Sequence, residues 1–401
     1  MHARITRRPR RLRAGLAQLA FMLAGLGAGL VVPRIGWGPR VSSGPVTDAL
    51  LSIGIGLLGA VALIFSLLFL VVQWVTTTFT PRLMLFRDDP LVWRTFGFAL
   101  GLVVFCITAA LAIGRKIEVT AFVPVLAMVL LLVLIAQLRT LQLRAFAAIQ
   151  LAPALGSIAD RGRTVLDTMY AEHSSAAPEL PPALTTVVWR HPPAVLQRVE
   201  TAALIDAATA ANVTIVVHES PGATLHHGDR VATVHGGELS AETVLRGLAV
   251  GDERTFDQDP LLAVRLLADI GLRALSAAVN DPATTVQALD QLEDLLGWAA
   301  AARLESLHHA DGDGVERLVV HLPGWEEFLR TGVDDIAFAA RSPMVVAGLR
   351  GALLRIRDRA TPERAAGLDR RLARLDGKVA ELCLDPGDAE PVRGLVEGEL
   401  D

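Results

Sequence analysis

Long apolar runs occupy the first third of the chain, and shorter periodic patterns follow them. A helix needs about 20 mainly apolar residues to cross about 30 Å of hydrocarbon. Four runs meet this length, at Ala14–Val32, Ala49–Val75, Val92–Gly114 and Val119–Leu138. The first run is longer than the apolar core of a signal peptide, and no convincing small-x-small cleavage site precedes the Pro33 turn. The pattern therefore predicts an α-helical membrane domain of four transmembrane helices.

After the fourth run, helical and strand patterns alternate, which predicts a soluble α+β domain. An amphipathic helix is expected to continue the fourth span over Ala145–Tyr170, and the Ala-, Ser- and Pro-rich segment Ala171–Pro182 predicts a linker. Strands are expected at Thr185–Trp189, Val213–Val217, Val231–Val234 and Glu316–Leu322. Helices are expected at Leu196–Ala211, Trp325–Ala340 and Val345–Asp358, with a break at Ser342-Pro343.

Two turns suggest a small hairpin-rich β unit within this domain. Pro221-Gly222 and His227-Gly228-Asp229 separate the strands, a pattern similar to the hammerhead-type hairpins of lipoyl-like barrels. The hairpin has no lysine, which excludes a lipoylated or biotinylated arm.

The patterns divide the chain into five segments. Residues 1–144 form the membrane domain with a basic N-terminus, and 145–182 the amphipathic helix and linker. Residues 183–250 form a small α+β unit, and 251–360 a helical domain with a strand at 316–322. Residues 361–401 form a C-terminal helix and tail.

The C-terminal helix carries a heptad pattern. Thr361-Pro362-Glu363 is a helix start, with a cap, a proline in the first turn and an acidic residue. Apolar residues then recur at alternating spacings of three and four, at Ala365, Leu368, Leu372, Leu375, Val379 and Leu382. This seam either packs on the domain's own surface or joins two copies of the chain.

Charge predicts the orientation of the spans. Six arginines precede the first span, three lie in the second loop and its flank, and four follow the last span, whereas four Arg or Lys residues lie on the opposite side. Because the more basic side faces the cytoplasm, both termini and the soluble part are predicted to be cytoplasmic, in a bacterial inner membrane.

Composition excludes several classes of function. A net charge of -4 gives no sign of nucleic-acid binding. Cys106 and Cys383 are too far apart in sequence to suggest a metal motif or a disulfide framework. The spans hold no ionisable residue near their centres, which argues against a proton-coupled transporter. We expect no cofactor.

Small residues in the spans are placed for close helix contacts. Gly25 with Gly29, Gly56 with Ala60, and Gly97 with Gly101 are spaced four apart, for packing within one chain or between subunits of a homo-oligomer.

The loop after the second span contains both acidic and basic residues. It is expected at the membrane surface, as a capped turn with local ion pairs or as a junction to the soluble domain. Its charged residues are Arg82, Arg87, Asp88 and Asp89.

A helical hairpin with a polar joint is predicted over Gly251–Leu292. Asp259-Pro260 and Asn280-Asp281-Pro282 each combine a cap with a proline at a helix start. Charged residues follow at helical spacing between them. The polar set comprises Arg254, Asp259, Arg265, Asp269, Arg273, Asn280, Asp281 and Thr284.

This hairpin resembles the bacterial predicted-membrane-protein family known as domain of unknown function 2254. The matching residues are Arg254, Gln258, Asp259, Asp269, Arg273, Ala274-Leu275-Ser276, Asn280-Asp281-Pro282 and Thr284. The loop Thr80-Pro81-Arg82, the four-span layout and the Pro-Gly hairpin resemble the family as well, so the resemblance covers Gly15 to Asp358. Ala277 departs from the family's usual proline, and His191-Pro192-Pro193 from an expected Gly-aromatic pair. The resemblance implies architecture and membrane location but no settled activity.

Three roles are open for the polar set: a structural ion-pair network, a ligand or ion site, or catalysis with Asp259 and Asp269 as acid and base. His218, His226, His227 and His235 lie around the predicted hairpin, as solvated polar residues or metal ligands.

Three functions follow for the whole chain. The first is a membrane protein whose cytoplasmic domain regulates or scaffolds the spans, in an oligomeric channel-like assembly embedded in the lipid bilayer. The second is a membrane-anchored sensor that binds a partner. The third is a membrane-bound enzyme that uses the Arg/Asp joint.

Overall fold

The chain forms two compact units. The computed structural model describes residues 9–35, 38–78, 90–114, 116–170 and 180–381. One unit ends at Gln150, and the other begins at Leu151. The first contains four long apolar helices, and the second combines sheets with helices, which confirms the predicted fold class.

Each helix of the membrane unit contains a stretch long and apolar enough to span a bilayer. The helices are α1 (Pro9–Val31), α2 (Ser43–Thr78), α3 (Pro90–Ile113) and α4 (Phe122–Ile149). Helix α3 is the most enclosed: 56% of its apolar stretch is buried, against 11% for α2 and 17% each for α1 and α4. The other three helices pack against α3, which therefore fills the centre of the unit.

Glycines bring α1 and α3 into backbone contact. A Cβ atom added at Gly25 would lie 2.1 Å from the carbonyl oxygen of Gly101, and one at Gly101 would lie 2.7 Å from that of Phe21. Gly29 and Gly97 also lie against the partner helix. Lipid offers apolar side chains as favourable an environment as protein does, so close packing of small residues holds helices together. These two predicted glycine pairs act within one chain.

The connections α1–α2 and α3–α4 meet in a small antiparallel sheet. Its strands are β1 (Arg40–Ser42) and β2 (Glu118–Thr120). The Ser43 hydroxyl donates to the Lys116 carbonyl, and the Lys116 ammonium donates to the Pro33 carbonyl at 3.2 Å. These bonds tie the four helix ends on this side of the unit to one another.

Two sheets organise the soluble unit. The larger has the order β3 (Ala183–Val188), β7 (Arg230–His235), β5 (Thr214–Val217), β10 (Glu316–Val320) and β9 (Leu307–Ala310). The smaller has the order β6 (Thr224–Leu225), β4 (Ala194–Val199) and β8 (Leu248–Gly251).

Strand β10 lies inside the larger sheet. It runs parallel to β5, whereas all other neighbours in the two sheets are antiparallel. Leu318 pairs with Ile215 and Val320 with Val217, and all four side chains are buried. The strand expected within the predicted helical segment thus completes a sheet begun by the preceding segment.

Nine helices of the described residues belong to this unit. The first five are α5 (Leu151–Met169), α6 (Thr201–Ala211), α7 (Ala241–Arg246), α8 (Leu262–Ala274) and α9 (Pro282–Ala301). The others are α10 (Trp325–Leu329), α11 (Asp335–Ala339), α12 (Pro343–Arg357) and α13 (Pro362–Glu381). A π-helical turn over Arg330–Asp334 joins α10 to α11.

Two of the predicted helices are not continuous helices in the structure. The predicted helix Leu196–Ala211 begins as strand β4, which contains the β-branched Val195 and Val199, and only its second part is helix α6. The predicted continuous helix from the fourth span to Tyr170 breaks at Gln150, whose backbone is extended. Pro153 has no N–H with which to bond the Ile149 carbonyl, so an unbroken helix is disfavoured.

The heptad seam of α13 packs on its own unit. Leu368, Leu372, Leu375 and Val379 are all buried within the single chain. Helix α13 lies along α12, where Arg350 pairs with Asp376 and Arg357 pairs with Asp369, both at 2.8 Å. Of the two interpretations of the seam, the structure therefore favours packing within the chain. Leu382 lies outside the described residues.

Candidate functional site

Asp259 forms a buried ion pair just before α8. Both oxygens of its carboxylate accept from the Arg254 guanidinium, at 2.6 and 2.7 Å, and one also accepts from the Leu261 N–H at 3.1 Å. The Asp259 side chain is 1% exposed. Burial raises the pKa of Asp259, and the Arg254 guanidinium opposes that rise. Asp259 was expected to cap a helix beginning at Pro260, but the helix begins at Leu262.

This pair fixes two other segments. A Cβ atom at Gly222 would lie 2.3 Å from Asp259 Oδ2, and Gly222 has a φ of +97°, which favours glycine. The Gln258 side chain exchanges two hydrogen bonds with the backbone of Val199, at 2.8 and 3.2 Å. Residues 254–259 therefore hold the Pro-Gly turn and strand β4 in place. The sequence predicts Gly222 as a turn residue, but it gives no sign that this glycine leaves room for the carboxylate.

Two of the charged residues predicted at helical spacing on α8 form an ion pair. Arg265 pairs with Asp269 at 2.9 Å, one turn later on the same helix. It also pairs with Asp335 of α11 at 3.3 Å, a partner that sequence analysis missed because it lies 70 residues away. Arg273 lies one turn beyond Asp269 on α8. The Arg265–Asp335 pair connects α8 with α11.

A second joint lies at the start of α9. The Asp281 carboxylate accepts from the Thr284 N–H at 3.1 Å and from the Thr284 hydroxyl at 2.5 Å, and these bonds lower the pKa of Asp281. Its own N–H donates to the Ala274 carbonyl at 2.8 Å, which closes the turn from α8. Asn280 adopts a left-handed backbone with a φ of 49°. The predicted cap at Asp281 is therefore formed.

The eight predicted polar residues are spread along α8. Arg254 and Asp259 precede its first residue, whereas Asn280, Asp281 and Thr284 follow its last, and a helix of 13 residues is about 20 Å long. The structure thus builds two separate joints, with Arg265 and Asp269 between them. Asp259 and Asp281 are both engaged in hydrogen bonds that fix backbone geometry.

Histidines line part of the larger sheet. Thr233 Oγ1 is hydrogen-bonded to His218 Nε2 at 3.1 Å and to His235 Nε2 at 2.9 Å. Burial lowers the pKa of His218, and Arg230, His321 and His235 add to this effect. Among the described residues, no group of three His, Cys, Asp or Glu side chains is placed to hold a metal ion. His226 and His227 lie exposed on the turn before β7.

Two buried arginines escaped prediction. Arg317 pairs with Asp311 at 2.7 Å between β9 and β10. Arg371 of α13 binds Asp334 through two bonds, of 2.6 and 2.9 Å, and Glu326 at 3.1 Å. Its position between seam residues Leu368 and Leu372 gave no sequence signal for burial. The predicted membrane-surface residues Arg82, Arg87, Asp88 and Asp89 lie outside the described residues.

The four spans and the mixed α/β unit define a multi-pass membrane protein with a large soluble part. The family model described as "Predicted membrane protein (DUF2254)" matches residues 13–355, and the chain belongs to that family. This confirms the resemblance found in the sequence.

The curated relatives are bacterial. The chain is 26% identical over 364 residues to Uncharacterized protein Rv1290c of Mycobacterium tuberculosis, an alignment that covers 81% of this chain and 68% of the relative. Uncharacterized protein Mb1321c of Mycobacterium bovis matches with the same identity and coverage. No solved structure matches the chain.

Proposed function

We propose that the protein is a homo-oligomeric, channel-like assembly of the bacterial inner membrane, and that its C-terminal unit is a cytoplasmic regulatory or scaffolding domain. The surface of α2 is the observation that carries this proposal. The excess of basic residues on one side of the spans supports the cytoplasmic orientation.

Helix α2 has an exposed face, made of small residues and Leu63, that no part of the described chain covers. Ser52, Gly56, Gly59 and Ser66 are exposed and recur at spacings that place them on one side of the helix. A Cβ atom at Gly56 or Gly59 would meet nothing within 4 Å, in contrast to the crowded glycines between α1 and α3. In a bilayer, such a face suits close approach of a second helix. The second helix we propose is α2 of another copy.

The centre of the membrane unit supports an assembly of several copies. Because α3 occupies the middle of each four-helix unit, a water-filled path would lie between copies instead of within one. The Ser66 hydroxyl on the same face donates to the Ala62 carbonyl at 2.9 Å, so its helix tolerates a polar group among lipids.

The polar network of the soluble unit supports a regulatory or scaffolding role over catalysis. Its carboxylates at Asp259, Asp269 and Asp281 lie at helix ends and helix crossings. Such pairs set the geometry of a domain while adding little net stability.

The oligomer is tested with matched glycine substitutions in the full-length chain. Gly56→Leu blocks the proposed α2 contact, and Gly27→Leu adds the same side chain to α1, where nothing lies within 4 Å either. Mass is measured by light scattering in detergent, and ion flux is measured in liposomes. We expect wild type and Gly27→Leu to be oligomeric and to conduct, and Gly56→Leu to be monomeric and silent. A monomeric wild-type protein would overturn the oligomer, and an oligomer without flux would overturn its channel-like role.

A further inference from the structure

One end of the helical part of the soluble unit gathers several helix ends. Helices α9 and α12 run parallel, because Gly348 lies beside Val286 while Gly297 lies beside Arg359 further along both helices. Their N-termini are therefore at the same end. Helix α8 ends there too, since the Asp281 N–H bonds the Ala274 carbonyl.

Helices α11 and α13 also end there. The Ile336 side chain packs against Gly271, near the last turn of α8. The Lys378 ammonium, in the last turn of α13, donates to the carbonyls of Phe338 and Ala340 at 2.8 and 3.0 Å.

Helix α5 starts at this same end. Gly162 of α5 lies against Ala263, and Tyr170 packs its ring 6.0 Å from that of Trp298, so α5 runs antiparallel to α8. The first residue of α5, Leu151, is 11 residues before Gly162, or about 16 Å along the helix. On α8, which runs in the opposite direction, Ala274 lies 11 residues after Ala263. Leu151 therefore lies toward the end at which α8 and α9 meet.

At this end the chain continues from the last span through a short connection. The apolar stretch of α4 ends at Leu143, the helix continues to Ile149, and α5 begins after the single residue Gln150. Seven residues, 144–150, therefore separate this apolar stretch from the first residue of α5. Such a short connection limits how far the start of α5 can lie from the end of the last apolar stretch.

The exposed side chains at this end suit a lipid surface. Phe338 is 85% exposed, Val279 50% and Met344 41%. The basic residues Arg341, Lys378 and Arg273 lie in the same turns and helix ends. The carboxylates nearby have partners: Asp281 caps α9, Asp376 pairs with Arg350, and Asp335 pairs with Arg265. Aromatic and apolar side chains enter the headgroup boundary, and basic ones attract anionic lipids.

We infer that this end of the soluble unit is a lipid-contact surface, formed by Val279, Phe338, Arg341, Met344 and Lys378. It binds the anionic surface of the bilayer that holds the protein's own spans. This inference rests on the membrane location of the chain and is independent of the proposed oligomer.

The test uses the full-length protein with one labelled cysteine, in a Cys106→Ala, Cys383→Ser background. Phe338→Cys reports on the proposed surface. Val315→Cys is the control, since Val315 is 46% exposed and lies in the turn between β9 and β10. Each protein carries a fluorophore and is reconstituted into phosphatidylglycerol/phosphatidylethanolamine liposomes, with or without lipid spin-labelled near the headgroup. We expect at least twofold quenching at position 338 and none at position 315. No quenching at 338, or equal quenching at both positions, would overturn the inference.

A charge reversal tests the anionic part of the inference. Arg341→Glu is compared with Arg303→Glu, an exposed arginine just after α9 at the other end of the bundle. We expect Arg341→Glu to halve the quenching at position 338 in phosphatidylglycerol-containing liposomes, and Arg303→Glu to leave it unchanged. Equal effects of the two reversals would contradict a specific role for Arg341. Quenching that persists in the monomeric Gly56→Leu protein would separate this surface from the oligomer.

Discussion

Helix packing differs between the membrane unit and the soluble unit. Between α1 and α3 the backbones touch, because the Gly25 Cα faces the Gly101 carbonyl with no room for a side chain. Helices α9 and α12 contact each other through their side chains, some of which are charged. The Arg355 guanidinium donates two hydrogen bonds to the Glu293 carboxylate, at 2.7 and 2.5 Å. Each crossing is well packed, and the chemistry that holds it is different.

The difference follows from the two solvents. In water, burial of leucine and alanine faces drives α8, α9 and α12 together, at roughly 25 cal/mol per Å² of apolar surface, and ion pairs then select the geometry. In lipid that driving force between apolar side chains is absent, so contact area must come from close backbone approach. Substitutions that add volume should therefore harm the membrane unit most, and those that remove charge should harm the soluble unit most.

The largest expected effect is at the buried ion pair. Asp259→Ala leaves the Arg254 guanidinium, 27% exposed, without its carboxylate and should lower the free energy of unfolding by about 3–5 kcal/mol. The measurement is the shift of the urea midpoint of the full-length protein in detergent. The control is Asp257→Ala, an exposed carboxylate two residues earlier, for which we expect a change within about 0.5 kcal/mol. Equal shifts would show that the Asp259 pair adds nothing.

Overpacking between α1 and α3 comes next. Gly25→Leu forces the two backbones apart and should cost about 1–3 kcal/mol or more. Thermal unfolding in detergent, compared with Gly27→Leu on the open side of α1, measures this cost. If both leucines were tolerated alike, the α1–α3 contact would not depend on glycine.

Loss of the α9 cap should be smaller. Asp281→Ala removes the acceptor for the Thr284 N–H and should cost about 1 kcal/mol, whereas Asp281→Asn keeps a capping oxygen and should cost less. The pKa of Asp281 is lowered in the folded state, so its charged form adds stability above the unfolded pKa of about 4. That contribution disappears as the pH falls through the lowered folded pKa. Unfolding curves at pH 7 and pH 3 should therefore show the Ala penalty shrinking in acid.

The smallest effect is expected at an exposed pair between α12 and α13. Arg350 pairs with Asp376 at 2.8 Å, and the two side chains are 36% and 55% exposed. Arg350→Ala should cost about 0.2–1 kcal/mol, and less at high salt. A salt-independent loss larger than that of Asp281→Ala would reverse the proposed ranking.

The sequence pattern predicted the structure well where nearby residues or the surrounding lipid determine it. The four spans and the crowded glycines at Gly25 and Gly101 were predictable, because lipid demands a long apolar run and small residues at contacts. The cap at Asp281 and the helix start at Pro362 were predictable because they depend on a few adjacent residues.

Long-range partners were not predictable in the same way. The segment Leu196–Ala211 has helical spacing, so strand β4 was not predicted. Strand β4 is stabilised by pairing with β8, which lies about 50 residues later in the chain. The polar set was expected around one joint, whereas the length of α8 separates it into two. Asp335 and Asp334, at the end of the π-helical turn, pair with Arg265 and Arg371, and no spacing rule indicated these partners.

The position of β10 has a consequence for how the protein is made. Strand β5 pairs with β10 over a separation of about 100 residues, as in the bond from the Thr214 hydroxyl to the Glu316 carbonyl. At about 5–20 residues per second, a ribosome delivers β10 about 5–20 seconds after β5. Until then β5 offers a bare hydrogen-bonding edge, while the spans are already entering lipid. If a ribosome stalls in this interval, the open edge of β5 can pair with a strand of a neighbouring nascent chain on the same polysome. Ribosome pausing before residue 316 should therefore favour aggregation.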